Sequence, residues 1–230
     1  MILMGRGSVA RALAAGVVLA ASLASCTDAA PPPPTDPAGR ELTLEEATAA
    51  LPEPHDLSDQ LVLQPTDEGD PEGSTYPASC ADVLFGGEAM KALDRDHQAT
   101  KAERDYAAER AGYLVIRVKS YDRPVPTAPF DAAGAAVAKC PTFTQTYDDE
   151  ATKWSMSALG LSSRGDQMFA ARMTLAEDAP PMLTGQIVDI VQIRKGHTLI
   201  SIVYSVGRNS RAIPGLVDRA AEQTLAGLPR

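Results

Sequence analysis

The strongest constraint on the fold lies near the C-terminus. Residues 186–194 and 197–206 are two β-branched runs joined by Lys195-Gly196. Two such runs separated by so short a turn predict an antiparallel hairpin. In the second run Thr198, Ile200, Ile202, Tyr204 and Val206 recur at period two and share one face. Gly207 ends the run. A helix is then expected over 213–228, with Pro214 tolerated in its first turn. Ile213, Leu216, Val217, Ala220, Ala221 and Leu225 form its apolar stripe.

The rest of the chain reads less sharply. Thr43 and Glu46 have capping-box spacing, which predicts a short helix over 41–51, stopped by Pro52 and Pro54. Residues 61–63 suggest a short strand, and 66–77 a loop. Ser79 is placed to cap a short helix over 81–85, ended by Gly86-Gly87. Residues 88–97 carry no clear pattern. Residues 98–106 and 112–121 read as strands; in the second, Leu114, Ile116 and Val118 alternate with Val115, Arg117 and Lys119. An Ala-rich helix over 130–139 runs into Cys140-Pro141, and 143–147, 153–159 and 165–175 are weaker strand candidates. Strands joined in succession by short turns imply an α+β fold: an antiparallel sheet with two or three helices packed on one face. The other face would be solvated or form a cleft.

The first residues are a targeting segment rather than fold. Arg6 and Arg11 precede an apolar run over 12–23, which is shorter than the ~20 residues a bilayer span needs. Leu23-Ala24-Ser25-Cys26 resembles the lipobox of bacterial lipoprotein precursors. That resemblance implies cleavage before Cys26, a lipid on its thiol, and a membrane as partner through that lipid. The rival is an ordinary secretory signal with a chance cysteine. Residues 26–40 follow as a Pro-rich spacer containing Pro31 to Pro34, which favours extended polyproline II. Such a stretch can also serve as a ligand for an aromatic groove. Residues 1–25, 26–40 and 41–230 are therefore leader, spacer and a single extracytoplasmic domain.

Charge narrows the partners. The chain carries −9, and losing Arg6 and Arg11 with the leader takes it to −11. So acidic a surface argues against nucleic acid. Residues 41–90 hold twelve carboxylates and no Lys or Arg. With Cys26 lipidated, Cys80 and Cys140 remain, and an oxidising compartment makes a disulfide between them the natural reading. A pair of free or catalytic thiols is the alternative.

No catalytic constellation emerges. His55, His97 and His197 are scattered without metal-ligand spacing, and His197 reads as an exposed loop residue. Nucleophile-elbow, phosphate-loop and zinc-protease motifs are absent from the sequence. Asp67, Glu68, Asp70 and Glu72 sit close together beside Gly69 and Gly73, but off EF-hand spacing; a solvated loop is the plainer reading than a calcium site. Tyr147, Asp148, Asp149, Glu150 and Trp154 could rim a pocket, although a lone Trp more often belongs to a core. No cofactor is expected.

Taken together, the lipobox, the spacer, Cys80, Cys140, the Leu-rich opening helix (Leu42, Leu44, Leu51), Gly165-Asp166 before a strand and the closing hairpin and helix resemble the actinobacterial sensor-domain lipoproteins. These are similar to the extracellular domain of mycobacterial kinases of the PknH-like class. The resemblance implies an antiparallel sheet with packed helices, a groove for an unidentified ligand, and no enzymatic activity. The expected function is a lipid-anchored, non-catalytic module binding an envelope ligand or protein. A lipid or glycolipid carrier with an apolar cavity, and an envelope enzyme, are the rival readings.

Overall fold

The computed structural model of the chain describes residues 39–66, 73–147, 150–175 and 186–229. The leader, the spacer up to residue 38, Cys26, the acidic loop residues Asp67, Glu68, Asp70 and Glu72, and Asp148 and Asp149 lie outside the described residues. The described part opens with two short helices, α1 (Leu44–Ala49) and α2 (Pro54–Leu57), and an edge strand β1 (Val62–Gln64). Next come β2 (Gly73–Tyr76), a 3-10 helix (Ala78–Leu84), α3 (Glu88–His97), and the long pair β3 (Gln98–Ala108) and β4 (Gly112–Tyr121). Helix α4 (Ala128–Lys139) precedes β5 (Thr142–Tyr147), β6 (Glu150–Ala158), β7 (Gln167–Leu175), β8 (Ile187–Lys195) and β9 (Thr198–Val206). Helix α5 (Leu216–Gly227) closes the chain.

Among the described residues, nine strands form one antiparallel sheet in the order β1-β3-β4-β9-β8-β7-β6-β5-β2. The fold is α+β, as expected. The capping box at α1 is in place, with the Thr43 side chain accepting from the Glu46 N–H and the Glu46 carboxylate accepting from the Thr43 N–H.

Register decides which residues share a face. Val191 and Ile193 of β8 lie opposite Ile202 and Ile200 of β9, which lie opposite Ile116 and Val118 of β4. These six are all fully buried. They form one core with α1, α2 and α5, through Ala47, Leu57, Leu216 and Ala220 among others. This is the expected layer of helices on one face. The opposite face, expected to be solvated or to form a cleft, carries a second layer over β5 to β8. Phe169, Ala171 and Met173 of β7 and Trp154 of β6 pack with Phe130 and Ala133 of α4 and with Val83 of the 3-10 helix. Alternation along β7 places these residues on the far side of the sheet from Met168 and Ala170, so they need a cover of their own.

The Cys80–Cys140 disulfide joins the 3-10 helix to the end of α4, with a Cα–Cα distance of 5.9 Å. Both cysteines are buried, which excludes the free-thiol alternative in this structure.

Several local expectations shift. The final hairpin turns on Gly196-His197 rather than Lys195-Gly196, because Lys195 still pairs with Thr198. Gly196 takes φ 55, and its N–H donates to the Asp166 carboxylate at 2.7 Å. A glycine adopts that left-handed backbone at low cost; a lysine does not. Residues 73–76, expected as loop, pair with β5 as an edge strand held by backbone bonds that need no apolar pattern. Ser79 sits inside the 3-10 helix, not at its cap, and the helix ends on Phe85 in the left-handed region, before Gly86-Gly87. Phe85 is held there by packing: its ring lies 4.9 Å from Phe130 and 5.5 Å from Phe169. Residues 88–97, without a clear pattern in sequence, are helical and bury only Met90 and Leu93.

The sheet is not flat. Its outer strands β1 and β2 are joined by residues 65–72. In a flat nine-stranded sheet they would lie roughly 38 Å apart at about 4.8 Å per strand. A fully extended segment of that length reaches only about 32 Å. The sheet must therefore curl, in keeping with the right-handed twist of its strands.

Candidate functional site

On the second face of the sheet the helical cover lies over β5 to β8 and reaches Leu199 of β9 and Tyr121 at the end of β4. The middle of the β3–β4–β9 stretch of that face, from Glu103 and Asp105 to Val115, Arg117, Ser201 and Val203, belongs to neither apolar core among the described residues. Its side chains follow from register: Lys101, Glu103, Asp105 and Ala107 of β3 stand opposite Lys119, Arg117, Val115 and Tyr113 of β4. Those β4 residues in turn stand opposite Leu199, Ser201, Val203 and Ser205 of β9.

The charges here are recessed rather than splayed into water. Side-chain exposure is 11% for Glu103, 12% for Lys119 and 22% for Arg117. Each cation has a partner. Arg117 Nε donates to Glu103 Oε2 at 2.5 Å, and Lys101 Nζ lies 3.2 Å from the same carboxylate. Burial pushes the Glu103 carboxyl up, but the hydrogen bond and charge of Arg117, with those of Lys101, outweigh it and hold it below the ordinary carboxylate range. At one end, Asp94 of α3 accepts from Lys119 Nζ at 2.8 Å and from the Tyr121 hydroxyl at 2.7 Å. Burial, then the Asp94 charge and hydrogen bond, push the Tyr121 phenol well up. At the other end the floor runs into a depression of about 370 Å³ lined by Tyr113, Ser205, Gln186 and Arg208. Asp105 stands in the middle of β3, 3% exposed, and its Oδ1 has no hydrogen-bond partner among the described residues.

No motif in the sequence marks these residues as a site, although a signal is present in β4, where Arg117 and Lys119 alternate with Ile116 and Val118. The matching charges of β3 carry the same period of two, but only pairing shows that they meet.

The candidates singled out from the sequence do not converge on this floor. Trp154 is buried against Phe143 and Leu175 as part of the core, while Glu150 is exposed at the start of β6 and pairs with Tyr147 through the ladder. His55 is exposed beside Asp56, and His97 Nδ1 lies 3.1 Å from Asp122. His197 is half-buried rather than exposed, because the tight turn folds its Nδ1 to 3.0 Å from the Tyr121 carbonyl. Among the described residues, no three His, Cys, Asp or Glu side chains converge as a metal site requires. No described helix is long and apolar enough to cross a membrane.

Comparison with solved structures gives the architecture a counterpart. The extracellular domain of PknH from Mycobacterium tuberculosis superposes with a TM-score of 0.59 over 82% of this chain and 97% of that domain, at 10% sequence identity. The two chains share a fold. An uncharacterised protein of Mycobacterium smegmatis, an ortholog of Rv0999, aligns with a TM-score of 0.46 at 13% identity, covering 80% of this chain and 96% of its own. No protein-family model and no curated protein matches the sequence. At such low identity the likeness carries the arrangement of strands and helices, and the charged floor has to be argued on this chain's own residues.

Proposed function

We propose that this protein is a lipid-anchored, extracytoplasmic, non-catalytic module that binds an envelope ligand or partner on the β3–β4–β9 floor. The observation that carries the reading is the recessed, internally paired charge lattice of Glu103, Arg117 and Lys119 that the strand register gathers on one sheet face. Such a lattice is pre-organised: its side chains are already held, so little ordering entropy is lost when a ligand meets them. Glu103, Arg117 and Lys119 are locked into ion pairs and present hydrogen-bonding edges, not a base aimed at a nucleophile. The fold shared with an extracellular domain supports display outside the cytoplasm. The lipobox at Cys26 supports the anchor. Val191 and Ile193 of β8 and Ile200, Ile202 and Val206 of β9 pack in the core with α5, so these side chains line no cavity that would support the carrier reading.

Native mass spectrometry of the full chain secreted from an actinobacterial host, followed by organic extraction, tests this. A retained molecule that is lost in Arg117→Met supports a ligand-binding floor. An empty chain whose surface crosslinks on intact cells all avoid the floor overturns it.

A further inference from the structure

We propose that the depression at the Tyr113 end of the floor holds a single neutral pyranose ring, stacked on Tyr113 and bound through its hydroxyls. The inference rests on the reading of the β3–β4–β9 face as a ligand site and deepens it by naming the class of ligand. Three observations converge. First, the walls are pre-set. The Arg211 N–H donates to the Arg110 carbonyl at 2.8 Å, which ties the loop after β9 to the β3–β4 turn. Gly112, at φ 102, comes so close to β9 that a Cβ would stand 2.1 Å from the Ser205 carbonyl oxygen, so this wall is bare backbone. Walls already fixed lose little ordering entropy when a ligand arrives. Second, the size suits one ring. At about 370 Å³ the depression stands at the low end of the roughly 300 to 1,000 Å³ of small-molecule sites, too small for the acyl chains of a lipid. Third, the lining suits a ring that is apolar on its faces and polar at its rim. Tyr113 is 36% exposed, and an aromatic face accepts the C–H face of a sugar. Gln186 Nε2 donates to Ser205 Oγ at 3.1 Å, which orients both groups. Among the described residues that pairing leaves Gln186 Oε1 as an acceptor and the Ser205 hydroxyl proton as a donor, a match for adjacent ring hydroxyls. Glu109 and Arg208 bring one charge of each sign, so the lining has no net charge with which to select a phosphate or an amine.

The ring can belong to an envelope glycan or to a free sugar. Amide NMR titration of the full chain in detergent separates the two sources. Methyl glycosides of glucose, galactose, mannose and N-acetylglucosamine stand for a ring within a glycan, and the corresponding reducing sugars stand for free sugar; the stronger binder names the source. The expected result is a saturable shift of the Gly112, Tyr113, Ser205 and Gly207 amides, with a dissociation constant of about 1 mM. Tyr113→Ala should weaken binding at least about tenfold and Gln186→Leu about fivefold, whereas Tyr113→Phe, which keeps the ring, should restore it. Unchanged amide positions in β8 and β9 away from the depression show that a variant without binding is still folded. Sugar binding of equal strength in Tyr113→Ala and Gln186→Leu overturns the proposal. So does the absence of any shift across the whole panel, and native mass spectrometry then decides the wider reading. A retained molecule that is lost in Arg117→Met keeps the floor as a ligand site, while an empty chain with crosslinks that avoid the floor removes both.

Discussion

The Tyr204 hydroxyl closes two chain segments at once. It donates to the Ala111 carbonyl beside the β3–β4 turn and accepts from the Ile213 N–H at 3.0 Å, ahead of α5. All three groups lie in buried surroundings, and burial pushes the phenol up from its ordinary value. Tyr204→Phe keeps the ring and strands both backbone groups. We expect a loss of about 3 kcal/mol in urea denaturation, and an unchanged midpoint would show that water takes over both bonds. Glu46 is a surface counterpart. Its hydrogen bond from Arg40, reinforced by the Thr43 N–H, lowers its carboxyl from the ordinary 4.5 to about 2. The folded value lies below the unfolded one, so the stability this group contributes is present above pH 4.5 and is lost as pH falls toward 2. The group lies at the surface, half-buried, so the readout is its own titration. NMR of the Glu46 carboxyl carbon should give a midpoint near 2, rising toward the ordinary range in Arg40→Ala.

At the scale of elements, the sheet serves two separate cores, and each has its own clasp. The β4–β9–β8 core is shut by α5 and the capped α1. The β5–β8 core is shut by α4 and the 3-10 helix, which the disulfide binds together. Replacing Cys80 and Cys140 by Ser opens a loop spanning a sequence separation of 60 residues. In the chain-entropy account that costs about 4 kcal/mol. The loss should be local. Hydrogen exchange is expected to quicken in the 3-10 helix and α4 while β4 and β9 keep their protection. Uniform quickening across both cores would mean that they unfold as one unit.

For the whole molecule, the proposed anchor and the curl of the sheet matter most. If Cys26 carries lipid, Cys26→Ala moves the protein from the membrane fraction to the medium, and its intact mass loses the acyl chains. A Cys26→Ala protein that stays with the membrane would sink the anchor. The curl follows from chain length alone, since residues 65–72 cannot span a flat nine-stranded sheet. Curling brings side chains of neighbouring strands on one face closer together, which is consistent with the low exposure of Glu103 and Lys119.

What the sequence determined by itself is whatever depends on neighbours a few positions apart. The capping box at Thr43 and Glu46, the period-two face of Thr198 to Val206, the ends of β4 and the stripe of α5 from Leu216 onward are all local patterns, and all stand in the structure; the helix starts at Leu216 rather than Ile213, because Gly215 in the left-handed region breaks the helical path after Pro214. With Cys26 set aside as the lipobox cysteine, the sequence left Cys80 and Cys140 as the expected pair, and the structure bonds them. Tertiary structure decided everything set by pairing at long range. Residues 73–76 are a strand only because β5 lends them hydrogen bonds, and α4 covers a second face only because β7 presents Phe169 and Met173 there. The candidate site belongs to this class. Glu103 and Arg117 are ordinary alternating charges until the β3–β4 register sets them opposite each other. Asp105 becomes a recessed carboxylate, with one oxygen lacking a donor among the described residues, only in the folded sheet, because burial is a property of the surroundings and no local spacing encodes it.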